Sequence, residues 1–242
     1  MALRESVSDG IRVLHDDDAR RNDLIVAFTD RHGGASRAPY ASLNLAARVG
    51  DDLAAVTENR RRAGASIGFE VGALALARQV HGVGVLEVTE GCSGVVGEAD
   101  VLVTSTPGVI LGILTADCAP VVLAGDSAIA IVHAGWRGLV GGAVEAGVRA
   151  IGTVRSAWIG PCIHSCCYEV GGDVIAAFEE AGLPVAGPDR VDPRHAAEHL
   201  LARAGVDVIE TVDECTFCNA RYFSYRRDGV TGRQGTFAAL AA

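Results

Sequence analysis

DVLVTSTPGVILGILTADCAPVVLAGDSAIAIVHAGWRG, residues 100–138, decides the fold. Its runs DVLVTS, VILGILT, PVVLAG and AIAIVHA are short and β-branched, and Gly, Pro or Asp separates them, so they read as successive strands with short connections. The same pattern extends upstream through VGVLEV (83–88) and ALALA (73–77), and LIVAF (24–28) is a further strand. Downstream the period changes. Residues 137–152 read as one Gly-rich amphipathic helix and AWIG (157–160) as a strand. DVIAAFEEAG (173–182) and PRHAAEHLLARAG (193–205) read as helices each ended by glycine, and VDVIE (206–210) as the last clear strand.

Nearer the N-terminus, Asp51 or Asp52 is placed to cap a helix running to about Ser66. DRHGGASRAPYASLNL (30–45) reads as an ordered loop. Residues 1–23, with the charged stretch HDDDARRND, read as a polar lead-in to a single domain over 24–242. There is no repeat of fixed period and no low-complexity linker, and the fold class expected is α+β, in one compact domain.

Composition narrows the function. The 242 residues are 49% hydrophobic and carry a formal net charge of −9, which disfavours nucleic-acid binding through a broad basic field. All 21 basic residues are arginine. Without lysine there is no Schiff base to a carbonyl and no Walker A lysine, so bound phosphate has to be held by Arg and backbone N–H groups. No uninterrupted apolar stretch is long enough to span a membrane, and MALRESVSDG lacks the apolar core of a signal peptide. The expectation is a cytoplasmic chain whose seven cysteines are reduced, with metal binding or catalysis favoured over a disulfide framework.

Three short stretches carry metal-competent side chains at the ends of expected strands: RQVHG with His81, LTADCAP with Cys118, and IVHAGWRG with His133. Pro120 is expected to end strand hydrogen bonding just after Cys118. Two imidazoles and a thiolate make a three-ligand set of the composition that catalytic zinc uses, with a fourth position open to water or substrate. The spacings of 37 and 15 residues match no zinc-finger or zinc-ribbon rule, so spacing alone leaves a shared metal and three unrelated side chains both open.

QVHG, TADC, HAGWRG and GPCIHSCCYEVG, in this order, resemble the laccase-domain family, also called the YfiH or polyphenol oxidase family. RHGGAS, YASLNLA, VGDD and the C-terminal YFSYRRDGVTGRQ extend the match over roughly residues 25–235. The resemblance implies a mixed β-sheet sandwich flanked by helices, and a zinc site formed by His81, Cys118 and His133. It also implies phosphorolysis of purine nucleosides (adenosine, inosine, guanosine and methylthioadenosine, giving the base and ribose 1-phosphate), with adenosine deamination as a further activity. For some bacterial members it implies instead an amidase that removes misincorporated serine from a cell-wall precursor. A non-enzymatic, metal-stabilised interaction module is a further alternative. The older family name implies a copper-dependent polyphenol oxidoreductase. Seven histidines, none two residues from another, cannot supply a multicopper relay, although imidazole and thiolate also suit a single copper.

On the phosphorolysis reading the partners are small molecules, a purine nucleoside and phosphate, with no nucleic acid and no membrane. Either a monomer or a homodimer is compatible with the sequence. The phosphate candidates are Arg48 and Arg137. Asn44 and Gln79 are candidate substrate contacts, each equally able to close a turn or hold a loop. Asp117 is a candidate general acid–base, or a carboxylate that orients a histidine. Trp136 is expected to support the metal site by packing, and Arg226, Arg227 and Arg233 to form a surface or interface feature. The spacings among Cys162, Cys166, Cys167, Cys215 and Cys218 include ligand-like ones. A second metal is disfavoured here because adjacent residues of a strand, as Cys166 and Cys167 would be, point to opposite faces.

Overall fold

The structure is a computed structural model and describes residues 3–241. Thirteen strands form two sheets. The first holds β1 (Leu3–Ser8), β2 (Ile11–Asp16), β3 (Leu24–Thr29), β4 (Leu74–Arg78), β6 (Gly94–Glu98), β8 (Ile110–Thr115) and β13 (Gln234–Leu240), in the order β1-β2-β3-β13-β8-β4-β6. The second holds β5 (Val85–Glu87), β7 (Val101–Thr104), β9 (Ala119–Gly125), β10 (Ile129–Ala134), β11 (Val154–Ile159) and β12 (Ile209–Thr211), in the order β12-β11-β9-β10-β7-β5. Both sheets are mixed: β4 runs parallel to β6 and β8, and β11 parallel to β12, among otherwise largely antiparallel neighbours.

The helices are α1 (Asp17–Arg21), α2 (Leu53–Ile67), α3 (Trp136–Gly141), α4 (Ala143–Ile151), α5 (Gly172–Glu180), α6 (Pro193–Arg203) and α7 (Tyr225–Asp228). They sort with the cores. Phe28, Leu111, Ile113 and Ala238 of the first sheet meet Leu102, Val122, Ile131 and Trp158 of the second in a buried layer between the sheets. Val121, Leu123, Val132 and Ala157 pack outward under α4, α5 and α6, while Ala63 and Ile67 of α2 cover Val13, Leu76 and Phe237 on the opposite side. The result is a two-sheet sandwich with helices on both outer faces, the α+β single domain expected.

Four expectations are corrected. Of the lead-in expected over 1–23, residues 1 and 2 lie outside the described residues and the rest is part of the fold, because β1 and β2 continue the first sheet and every residue of β2 is buried. The charged stretch obscured this: Asp16, itself fully buried, accepts from the Asp18 and Ala19 backbone to cap α1 and from the Trp158 indole at 2.8 Å. Asp16→Ala removes the cap and strands a buried indole N–H, for a loss of roughly 2–4 kcal/mol, read as a lowered urea midpoint at unchanged slope. The helix expected over 137–152 is two, since Gly142 takes φ 92°, closes α3 by donating to Gly138, and caps the start of α4. β13 follows VDVIE and inserts centrally between β3 and β8. Pro120 does not end a strand: it is the second residue of β9, opposite His133, where a missing N–H is tolerated at the strand's start.

The 31–45 loop is ordered by α2. Asp52 caps the helix on Ala54, and the buried Asn59 side chain donates to Ser36 Oγ and to the carbonyls of Ser42 and Asn44 while accepting from Ala35. That brings Arg48 to the rim of the site described next.

Candidate metal centre

β8 lies in the first sheet and β9 in the second, so the chain crosses the sandwich at Ala116–Cys118. The ends of β4 and β10 and the start of β7 converge at this crossing. His81 follows β4, Cys118 immediately precedes β9, and His133 is the penultimate residue of β10. Their ligand atoms all lie within 4.8 Å of one another, with Cys118 Sγ 3.8 Å from His81 Nε2. The two imidazoles meet edge to face, centroids 4.7 Å apart.

Asp100 organises the group. Its carboxylate is fully buried at the start of β7, with Oδ1 2.7 Å from Nδ1 of His133. It also accepts from the backbone N–H groups of Val80, His81 and Gly82. One carboxylate therefore holds the His81 turn, whose φ of 60° is unusual for a side chain this bulky, and fixes the His133 ring. With Nδ1 donating to Asp100, Nε2 of His133 is the lone-pair nitrogen facing Cys118 and His81, the arrangement typical of metal-binding histidine.

The electrostatics follow. Burial alone pushes the Cys118 thiol up, but the charge and hydrogen bond of His133, with the hydrogen bond of His81, outweigh it and bring the thiol down to about 6. Burial pushes His133 down, and Cys118 and Asp100 together raise it to about 9. The two shifts favour a thiolate beside a protonated imidazole, so metal binding here would compete with protons. Space is shaped to match: a Cβ on Gly135 would stand 2.8 Å from His81 Cδ2 and 3.2 Å from Cys118 Sγ, so only glycine leaves the donors room to converge. Two imidazoles and a thiolate converging with no fourth His, Cys or carboxylate ligand among the described residues fit a zinc or copper ion that keeps one position open.

The open side faces a cavity of about 550 Å³. His81, Cys118 and His133 line it together with the apolar Leu76, Ala77 and Val95, the ring of Tyr225, and Arg48, Arg60 and Arg233. Arg48 is exposed and makes no hydrogen bond or ion pair among the described residues. Arg233 is half-buried beside the Tyr225 ring, with burial pushing its guanidinium down and Nη1 on the Thr231 and Gly232 carbonyls.

The other sequence candidates sort unevenly. Arg137 does not line the cavity; it is exposed and stacks on Trp136 at 4.3 Å. Trp136 packs on the helix-side core of the second sheet. The Asn44 amide is spent internally, donating to Ala46 and Asp51 and accepting from the Ala46 and Arg233 backbone; it sets the position of Arg233 and has no group left for substrate. Gln79 lines the cavity, but its amide exchanges both hydrogen bonds with the Leu114 backbone. Asp117, at φ 93°, accepts from Thr216 Oγ1 at 2.6 Å and from the Arg226 N–H at 2.7 Å, so its carboxylate neither orients a histidine nor reaches the cavity. The orienting carboxylate is Asp100, missed because it heads an apolar run and so reads as a turn residue. Arg233, read as a surface residue, lines the cavity because β13 is a central strand.

Comparison with known proteins identifies the family. The family model described as multi-copper polyphenol oxidoreductase laccase matches residues 25–241. A Deinococcus radiodurans protein named purine nucleoside phosphorylase is 42% identical over 228 residues, covering 88% of each chain. The Escherichia coli protein named purine nucleoside phosphorylase YfiH is 38% identical over 223 residues, covering 87% of this chain and 91% of its own. The crystal structure of YlmD from Geobacillus stearothermophilus superposes with a TM-score of 0.89 at 30% identity over 98% of both chains. No described helix is long and apolar enough to cross a membrane. With sequence match, fold and relatives in agreement, this chain belongs to the laccase-domain family of YfiH-type proteins.

Proposed function

We propose that this chain is a zinc-dependent purine nucleoside phosphorylase, acting in the cytoplasm on adenosine, inosine, guanosine or methylthioadenosine, with adenosine deamination as a side activity. One observation carries the reading: the three convergent metal-competent donors line a cavity that offers both an apolar and aromatic surface (Leu76, Val95 and Tyr225) and an arginine surface (Arg48, Arg60 and Arg233). A purine needs the first surface and phosphate needs the second. The names of the relatives point the same way.

Zinc held by His81, Cys118 and His133 would supply a Lewis-acid position at the cavity floor. The chain's own residues do the rest. Arg48 and Arg233 bind and orient the phosphate, and Tyr225 with Leu76 and Val95 holds the planar base and keeps water from it. A phosphate oxygen then forms a bond to C1′ of the ribose as the C1′–N9 bond breaks, and its electron pair leaves with the purine, which takes a proton. Asp117 and Arg137 have no direct part on this geometry. Copper redox chemistry is disfavoured because one three-donor site provides no second centre for electron relay: the other convergent group among the described residues is all cysteine.

The test is purified protein with each nucleoside and phosphate, products separated by chromatography. Base and ribose 1-phosphate, dependent on phosphate, are expected. Release of serine from a muramoyl-serine precursor without nucleoside turnover would replace this reading with the amidase one. Arg48→Ala is expected to raise KM for phosphate about tenfold or more, with a smaller change in kcat, because one charge-assisted bond is worth about 1.5–3 kcal/mol. An unchanged phosphate KM removes Arg48 from the anion site.

A further inference from the structure

A second group of metal-competent side chains lies away from the cavity. Cys166, Cys167, Cys215 and Cys218 bring their sulfur atoms within 4.8 Å of one another, with Cys166–Cys218 at 3.6 Å and Cys167–Cys218 at 3.1 Å. All four are free thiols. The objection that neighbours point apart does not hold, because residues 165–167 form a turn, closed by the N–H groups of Cys167 and Tyr168 on the His164 carbonyl. In a turn both side chains of a Cys-Cys pair can face one partner segment.

The geometry points to a structural Cys₄ metal site here, taking zinc or another thiophilic divalent ion, independent of the cavity centre and of the activity proposed for it. Four sulfurs at about 2.3 Å from a tetrahedral zinc stand about 3.8 Å apart, a value inside the range of the sulfur separations seen. The surroundings hold the ligand-bearing segments in place. The His164 N–H points at Cys215 Sγ at 3.4 Å. Arg190 donates to the carbonyls of Ser165 and Cys166, and Arg227 to those of Thr216 and Phe217, so one cation braces each ligand-bearing segment. A disulfide would use two of the four sulfurs and leave the convergence of the others unexplained.

The site would fasten the 164–168 turn to the 214–219 segment. Those segments carry Thr216, which holds Asp117 beside Cys118, and Tyr168, whose ring lies under Arg226 at 4.9 Å. The second metal would therefore brace the wall behind the first centre and touch no substrate, as a closed four-ligand site does.

The decisive sample is Cys118→Ala, with His81→Ala as the alternative should it fold poorly, purified under reducing conditions with zinc present and then dialysed. One zinc per chain by mass spectrometry is expected, against two in the wild type, with an X-ray absorption spectrum showing four sulfur neighbours at about 2.3 Å. Cys167→Ser/Cys218→Ser is expected to lose that zinc and to lower Tm by roughly 5–10 °C. No zinc in Cys118→Ala and in His81→Ala overturns the site, as does a spectrum with mixed nitrogen and oxygen neighbours. So does a denatured, chelator-treated wild type lighter by two hydrogens with two thiols missing, which would mean a disulfide. Wild-type protein that holds this zinc but turns over no nucleoside would count only against the proposed function.

Discussion

Asp100→Ala is expected to lose roughly 3–5 kcal/mol of stability and most of the metal affinity at the cavity centre. The carboxylate is fully buried and is the shared acceptor of the His133 imidazole and of three consecutive backbone N–H groups. Truncation leaves the raised His133 without its counter-charge, and breaking a buried pair from one side carries a cost of that size. It also frees the 80–82 turn, which then has little reason to keep His81 in its left-handed conformation. Asp100→Asn separates orientation from stability. The amide keeps the volume and can still accept from the turn, but its NH₂ presents a donor to Nδ1 of His133. The proton shifts to Nε2, the atom the metal needs. Metal affinity should fall about 10–100-fold with the urea midpoint near wild type, measured by competition with a chromophoric chelator. Wild-type affinity in Asp100→Asn would show that the carboxylate does not set the tautomer.

That the largest second effect belongs to a residue unmarked in the sequence says what a linear reading can reach. His81, Cys118 and His133 were each legible as a metal-competent side chain beside an expected strand, but their spacing left a shared metal open, and it was the family resemblance that implied one site. Most strands and the capped helix at Asp52 were legible from apolar runs and a cap residue. β2 was not, since Arg12 and His15 interrupt its apolar residues and the partners that bury its polar groups include distant ones: Tyr222 and Glu214 for Arg12 besides Glu5, and Trp158 for Asp16 besides Asp18 and Ala19. Partners some 200 and 140 residues away leave no local mark. The same holds for the internal use of Asn44 and Asp117, whose partners include Arg233 and Thr216. Arg137 looked equivalent to Arg48 by its nearness to a ligand, but the turn into α3 sends it onto Trp136. Polar residues near a ligand in sequence are thus weak guides to the cavity, and strand ends are strong ones.

Cys118 carries the most consequential prediction, because two roles are compatible with its position. As a metal ligand it contributes a thiolate, and as a depressed thiol at about 6 facing the cavity it has the properties of a nucleophile. Cys118→Ala removes both and is expected to abolish metal binding at this centre and reduce phosphorolysis about a thousandfold or more, since a Lewis acid is worth several kcal/mol and each 1.36 kcal/mol is tenfold. Cys118→His separates them. Three imidazoles form a competent catalytic zinc site elsewhere, and the Cys118 side chain lines the cavity. If the thiolate is a ligand, Cys118→His retains one metal ion at the centre and recovers a measurable part of the activity that Cys118→Ala lacks. If the thiol itself attacks, Cys118→His holds metal and stays as inactive as Cys118→Ala. The geometry favours the first outcome: a mobile nucleophile does not need Nε2 of one histidine at 3.8 Å, a second imidazole locked by Asp100, and a glycine beside all of them kept bare for space.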